Sequence, residues 1–383
     1  MSEEWAKSGN EVYMITSNSS HLNSTLPTFK GKFFYEDING VNTYWLNTFK
    51  NKNSSGASRI LSWLHFEYQL LTFNKKKLAK PDVIIASSLS LLSIVSAWYL
   101  SKKYKSKLVF EVRDIWPLSI IVLGGYSRYN PFIKALSAIE KFGYEKSGLI
   151  VGTMPNLQKH VHEVTDKGAK CITIPQGVSL DFYTSGQRPL DEEYKAKWLQ
   201  GNKFRICYAG TVNVNNPLDA FIEAARLLKD HEHIQFVILG NGDKKDDLIK
   251  LSSDLPNVIF PPTVAKEQVY DFLSNMDICY DSFDPKLASY GLSRNKWIDY
   301  MFAAKPIICA YDGFKSMINE ADCGEFIPFD DAETLSRVIL DYSRLTKHQV
   351  NEIGERGKNF LIHNRTFTKL AADYLVAINE INV

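Results

Sequence analysis

Between Ser289 and Met301 the chain reads Ser-Tyr-Gly-Leu-Ser-Arg-Asn-Lys-Trp-Ile-Asp-Tyr-Met, a turn that leads into a helix with two cations in its first turn. Ser293 or Asn295 is placed to cap that helix. Arg294 and Lys296 oppose the helix dipole there, at a cost of roughly a few tenths of a kcal/mol each unless an anion is bound. Such local conflict points to a ligand. Arg294 offers a fork that fits phosphate oxygens, and Lys296 a point charge. Asp299 lies three residues beyond Lys296 on about the same face, in position to accept hydrogen bonds from ribose hydroxyls. The competing reading is a solvated helix start with a Lys296–Asp299 pair.

Three other segments sit where open α/β sheets place their ligands, after the carboxyl ends of apolar runs. In Phe110-Glu111-Val112-Arg113-Asp114-Ile115-Trp116-Pro117, Asp114 would orient or polarise an acceptor hydroxyl while Trp116 and Pro117 shape the floor. An Arg113 ion pair with Asp114 or Glu111, closing a turn, is the plainer alternative. In Ala209-Gly210-Thr211, backbone amides could meet a diphosphate at the start of the next helix, or simply form a tight turn. Leu239-Gly240-Asn241-Gly242-Asp243 lacks the third glycine of a dinucleotide fingerprint, because Lys245 stands there. Gly240 and Gly242 then lie beside a nucleobase or make a structural turn. His160 and His162 point apart on a helix, no histidine–carboxylate cluster has metal spacing, and neither a GxxxxGK[ST] loop nor a GxSxG elbow occurs. Neither a metal nor a cofactor is therefore expected.

Composition narrows the partners. The 45 basic and 43 acidic residues almost cancel, which leaves no field to draw the chain onto nucleic acid, so an anionic ligand must be held locally. The five cysteines show no CxxC spacing and read as reduced thiols, consistent with a cytoplasmic protein. Val83 to Ser101 is long enough to span a membrane, but its serines and its change of period read as strand, turn and helix.

These candidate groups need elements to carry them. From Glu11 onward, apolar runs rich in β-formers alternate with helical stretches, as in a parallel sheet covered on both faces. Expected strands include EVYMITS, INGVNTYWL near a sheet edge, Asp82–Ser87, Lys107–Glu111, GLIVGT and CITIPQG. The alternation pauses over Gly186 to Gly201, the expected interdomain link, and restarts at FRICYAG. After Ala332 the chain reads as helix. Two doubly wound α/β domains are expected, 1–185 and 186–360, with 361–383 a helix returning to the first. A doubly wound domain normally begins with a strand and glycine turn, whereas EEWAKSGNEV reads as the end of a first helix. A first strand is therefore expected to be missing, with its neighbours left across an unfilled ladder position.

Taken together, the segments resemble retaining glycosyltransferases of family four, which have the two-domain GT-B architecture. GNEVYMITS resembles that family's "GHEVTVIT" strand, IPQGVSLDFY its "PNGVDLxxF" segment, CYAGTVNVNNPLDAFIEAARLL its domain-opening strand and helix, and GLSRNKWIDYMFAAKPII its donor-site helix. EVRDIWP is most similar to a branch that adds amino or deoxyamino sugars in bacterial surface polysaccharides. The chain departs from the pattern at Gly291, which replaces the first of two glutamates, while Asp299 stands at the second. It also lacks the arginine and lysine that often follow the Ala-Gly-Thr turn.

The resemblance implies two Rossmann-like domains facing each other across a cleft, the first on the acceptor side and the second holding a nucleotide-diphosphate sugar, UDP-linked by expectation. Gly210, Thr211, Gly240, Gly242, Ser293, Arg294, Asn295, Lys296 and Asp299 would line the donor site. Arg113, Asp114, Arg294 and Lys296 would serve the transfer, with retention and without a metal. The acceptor would be a lipid-linked or saccharide chain of O-antigen or capsule type. Lysines near Lys75–Lys80 and Lys102–Lys107 would rest on the inner face of the plasma membrane or remain a solvated face. Alternatives are a nucleotide-sugar epimerase of the same architecture and a non-catalytic sugar- or partner-binding homologue.

Overall fold

In a computed structural model the chain divides into two compact units, the first made of Met1–Thr153, Leu157–Ile174 and Phe367–Val383, the second of Met154–Asn156 and Pro175–Thr366. Residues 1–19, 26–49, 57–74, 78–88, 90–284 and 289–382 are described. The stretch 186–201, read above as the link, lies inside the second unit, and the chain returns to the first at Phe367.

The second unit is one six-stranded sheet built from β8 (Phe204–Ala209), β9 (Ile234–Leu239), β10 (Val258–Ile259), β11 (Ile278–Ser282), β12 (Ile307–Ala310) and β13 (Gly324–Ile327). The strands are parallel throughout, in the order β10-β9-β8-β11-β12-β13. The chain thus builds outward from β8 in one direction, then crosses back to β11 and builds in the other. That reversal between β8 and β11 is where open α/β sheets place a ligand crevice, beyond the carboxyl ends of the strands. Continuous apolar runs suit these strands because helices cover both faces. The helix Ala332–Arg344 shows the logic: Leu335, Val338, Ile339 and Tyr342 fall on one stripe and are buried, and Asp331 caps it by accepting from the Thr334 N–H at 2.8 Å.

The first unit carries two sheets. One has the order β1-β3-β2, where β1 (Val12–Ser17) runs parallel to β3 (Val41–Leu46) and β2 (Phe33–Ile38) antiparallel to it. The other has the order β4-β5-β6-β7: β4 (Val83–Ser87), β5 (Lys107–Val112), β6 (Leu149–Gly152) and β7 (Lys170–Thr173), all parallel. INGVNTYWL is therefore not a strand near an edge. Asn39 and Gly40, both with positive φ, form a two-residue hairpin turn that makes β2 the edge and puts β3 in the middle. Among the described residues, β1 and β4 are each hydrogen-bonded on one side only. The same apolar clusters nevertheless join them: Val12 and Val83 pack with Trp5 and Tyr374, and Ile15 and Ile84 with Leu46, Leu70 and Leu100.

Candidate functional site

Arg294 and Lys296 converge with Gly210 at the carboxyl ends of β8 and β11, and what gathers the two cations is a carboxylate. Asp281 is the penultimate residue of β11, follows an apolar run and has no exposed surface. It receives the Arg294 Nε at 2.8 Å, the Lys296 Nζ at 3.0 Å and the Trp297 indole N–H at 2.8 Å. A buried carboxylate survives only when its lone pairs are occupied this way. The cations are shared further. Arg294 also donates to the Asn216 side-chain oxygen, and its guanidinium stacks 4.7 Å over Phe283. Lys296 donates to the Tyr208 hydroxyl at 2.9 Å. Both cationic side chains are 13% exposed.

The conflict expected at the helix start is therefore partly resolved within the protein. Two cations against one carboxylate leave a single positive charge in the cluster. Burial lowers the Lys296 ammonium to about 8; the charge of Asp281 acts to raise it and that of Arg294 to lower it further. Burial and then Asp281 push the Tyr208 phenol upward, so it stays protonated and donates to the Thr211 carbonyl at 2.6 Å. Capping also differs from expectation. The helix Asn295–Phe302 has no side-chain cap; Asn295 is exposed, and the Ser293 hydroxyl accepts from the Gln176 N–H at 2.8 Å.

The two glycine segments brace each other beneath this cluster. A Cβ on Gly240 would lie 1.8 Å from the Gly210 carbonyl oxygen, and one on Gly242 equally close to the Val212 carbonyl oxygen. Only glycines permit that backbone approach. The loops are further tied by Gly210 N–H to Leu239 O at 2.9 Å and Val212 N–H to Asn241 O at 3.0 Å. The Gly210 amide, expected above to face a diphosphate, is thus spent inside the fold. A Cβ on Gly210 would meet Lys296 Nζ at 3.1 Å, which places this glycine directly against the ammonium; Thr211 and Gly242 are exposed. Gly291 has its own structural reason, a φ of +93° and Pro155 packed against it.

Asp299 falls in a different cluster. It accepts from the Tyr183 hydroxyl and from Lys266, whose Nζ is 2.6 Å from Oδ2, and Tyr183 stacks on Phe302 with centroids 4.3 Å apart. Lys296 pairs with Asp281 and not with Asp299, so the solvated i,i+3 pair is not what forms. Asp281, Tyr208, Asn216 and Lys266 were not singled out from sequence. The signal for Asp281 was available, since an acid inside the apolar run Ile-Cys-Tyr-Asp-Ser-Phe must find a partner.

In the first unit, Arg113 pairs with Glu111 at 2.8 Å, the plainer of its two readings, and Glu111 also accepts from the Ser87 hydroxyl at 3.1 Å. Asp114 is exposed, and Trp116 packs edge-on against Trp63. This group sits after the carboxyl ends of β4 and β5. Among the described residues no cluster of metal-binding side chains forms. Likewise no helix is long and apolar enough to cross a membrane, and Val83–Ser101 is a strand followed by a helix.

Residues 203–344 match the sequence profile of the family described as glycosyl transferases group 1. No curated protein sequence matches the chain significantly. Among solved structures the chain is similar to sucrose-phosphate synthase from Thermosynechococcus elongatus, at 14% identity and a TM-score of 0.72 over 99% of this chain and 91% of that one. An E. coli protein described as trehalose-6-phosphate, bound with UDP-2-fluoro glucose, aligns at 11% identity with a TM-score of 0.73 over 98% and 94%. Anabaena HepE in complex with UDP and glucose aligns at 12% identity with a TM-score of 0.62 over 90% and 87%. At such identities the likeness is one of fold, two Rossmann-like domains in a GT-B chain. The buried Asp281 and the cations it holds therefore lie within the segment that matches the glycosyl transferases group 1 profile, in a chain with the GT-B fold.

Proposed function

We propose that this protein transfers a sugar, with retention and without a metal, from a nucleotide-diphosphate donor to a lipid-linked or saccharide acceptor in the assembly of a bacterial surface polysaccharide of O-antigen or capsule type. The observation that carries the reading is the Arg294–Asp281–Lys296 cluster, one net positive charge held nearly out of water at the point where the strand order reverses. Its job in the proposal is to receive charge. As the bond to the donor phosphate breaks, negative charge grows on the leaving diphosphate, and cations already fixed by Asp281 and Tyr208 meet it without reorganising. Lys296, its ammonium lowered to about 8 by burial, regains full basicity when a second anion arrives. That favours the late, more highly charged state over the bound donor, which is the condition for catalysis rather than mere binding.

Gly210 lets the diphosphate approach Lys296 closely, with Thr211, Gly242, Ser293 and Asn295 around it. Asp299 takes the ribose hydroxyls, with Lys266 swinging aside on its exposed stem. UDP is the proposed nucleotide, supported by the UDP and UDP-sugar complexes of the Anabaena and E. coli structures. The transferred group is proposed to be an amino or deoxyamino sugar, on the likeness of Glu111–Pro117 to that branch. In the first unit Asp114 orients the acceptor hydroxyl and Arg113 steadies its loop. A phosphate oxygen of the leaving group takes the acceptor proton on the same face, so Asp114 forms no covalent bond. The protein works at the inner face of the plasma membrane, where a lipid-linked acceptor is met.

A panel of nucleotide sugars, read by thermal shift and then by product analysis with and without acceptor, tests this. Stabilisation by one nucleotide class and transfer only when acceptor is present are expected. Change of the donor sugar without acceptor would instead identify an epimerase, and binding without turnover a non-catalytic homologue.

A further inference from the structure

The helix Ala57–Thr72 packs Leu70 and Phe66 into an apolar cluster but shows a second apolar stripe to solvent. Its exposed side carries Leu61, Leu64, Tyr68 and Leu71, between 46% and 64% exposed and spaced 3, 4 and 3 residues apart, which is one continuous stripe. Its inner side holds Ser62 and Glu67, both buried, and the Glu67 carboxylate accepts from the Ser93 hydroxyl at 2.8 Å. Burial raises the Glu67 carboxyl above its ordinary range. A helix that hides its one acid and shows three leucines and a tyrosine to solvent in one stripe is arranged for something other than water.

The helix Ser93–Tyr104 extends the same surface. It and Ala57–Thr72 pack side by side through Glu67 and Ser93, and both contribute to one apolar cluster, where Leu70 and Leu100 meet Leu46, Ile15 and Ile84. Their outward sides therefore form one face. Ser93–Tyr104 adds Val95, Tyr99, Lys102 and Lys103 to it, all exposed, followed by exposed Lys105. The two helices together contain a single acid, Glu67, and it points inward. Leu227 and Val376, by contrast, stand singly on their helices, which is ordinary for a surface.

We infer that this two-helix face of the first unit lies on an anionic lipid bilayer, with Leu61, Leu64, Tyr68, Leu71, Val95 and Tyr99 entering the interface and Lys102 and Lys103 meeting the headgroups. A second protein surface would need charge partners for the lysines but also a dry apolar match. A bilayer supplies both at once: an apolar layer a few ångströms deep and a plane of negative charge above it. Tyrosines suit that boundary because the ring is apolar and the hydroxyl stays wet. The lysines chosen also correct the wider cluster considered from sequence. Lys107 is turned away, donating to the Ile378 carbonyl at 3.0 Å, and Lys75–Lys77 lie outside the described residues. The inference extends the membrane side of the proposed function and needs no nucleotide, so its failure would leave the donor site untouched.

Co-sedimentation of the full chain with phosphatidylglycerol-containing vesicles and with pure phosphatidylcholine vesicles, without nucleotide, tests it. Wild type should pellet with the anionic vesicles and be partly released by high salt. Leu64→Ser/Tyr68→Ser should weaken binding at least tenfold to either lipid, since two deep apolar anchors are lost. Lys102→Gln/Lys103→Gln should weaken only the anionic binding, by about fivefold per lysine. All substituted positions are exposed, and circular dichroism confirms that the variants are folded. Wild type that stays in the supernatant with both vesicles overturns the inference. So does a wild-type dimer, seen by light scattering without lipid, that Leu64→Ser/Tyr68→Ser converts to monomer.

Discussion

The two units place a carboxylate near the end of a strand and set an arginine beside it, yet the outcomes are opposite. Asp281 is sealed in, touching two cations and an indole, whereas Glu111 and Arg113 have side chains 17% and 49% exposed. A buried pair is costly to break because removing one member strands the other without water, while an exposed pair contributes little. The sheets differ in the same sense. In the second unit β8 and β11 are paired on both sides and are almost entirely buried; in the first, β5 and β6 are likewise paired on both sides and mostly buried, but among the described residues β1 and β4 are paired on one side and mostly half-buried. The second unit thus sets its charge between fully paired strands, and the first leaves β1 and β4 more loosely held. Stiffness belongs where charge must be met without reorganisation, and looseness is tolerable where the partner is bulky.

The sharpest way to break this comparison is to remove both carboxylates in turn. Asp281→Ala should cost about 3–5 kcal/mol of stability and abolish nucleotide binding, whereas Glu111→Ala should cost no more than about 1 kcal/mol and leave binding intact. Urea unfolding with and without UDP decides it, and equal costs would erase the distinction. Next in size, Lys296→Ala should weaken UDP binding about 10- to 100-fold, the value of a charge-assisted hydrogen bond. Asp114→Asn should lower turnover while calorimetric UDP affinity stays the same. An affinity loss at Asp114 would mean the two units do not divide the work this way.

A third test uses pH. Lysine is cationic below its pKa, and the folded value of about 8 lies below the ordinary 10.5. The free site therefore loses its second cation as pH rises through about 8, and donor KM should climb there by up to the Lys296→Ala factor. Stability has the opposite sign: the folded state holds this proton less firmly than the unfolded chain, so the penalty is present below about 8 and is relieved between 8 and 10.5. Lys296→Arg keeps its charge and should flatten the KM profile; a climb that persists in that variant would assign the titration to another group. The smallest effect is in backbone protection. Amides of β1 and β4 should exchange with deuterium about tenfold faster or more than those of β8 and β11, and uniform protection would contradict the looser hold on β1 and β4.

Much of this fold could be read locally. Runs such as Phe204–Gly210 and Ile234–Gly240, separated by amphipathic stretches, require strands covered on both faces, and both became parallel strands of one sheet. The hairpin at Asn39-Gly40 was equally legible, because that dipeptide favours the positive φ of a tight turn, but the run was read as one strand and the aromatic edge β2 was overlooked. The site was half legible. Arg294 and Lys296 stood out by opposing a helix dipole, since that conflict is contained within one turn of sequence. Their anchor did not, because Asp281 and Asn216 reach them across 15 and about 80 residues.

By itself the sequence determined the element types, the alternation that calls for doubly wound sheets, and a pair of cations at one helix start. These follow from periodicity, turn chemistry and the dipole, all of which act over a few residues. Only the tertiary structure decided that β11 lies beside β8, that Asp281 rather than Asp299 holds the cations, and that Gly240 is needed for the close approach of the Gly210 carbonyl. Strand order and back-to-back loop contacts arise from packing distant segments into one layer, and no local propensity encodes which segments will meet.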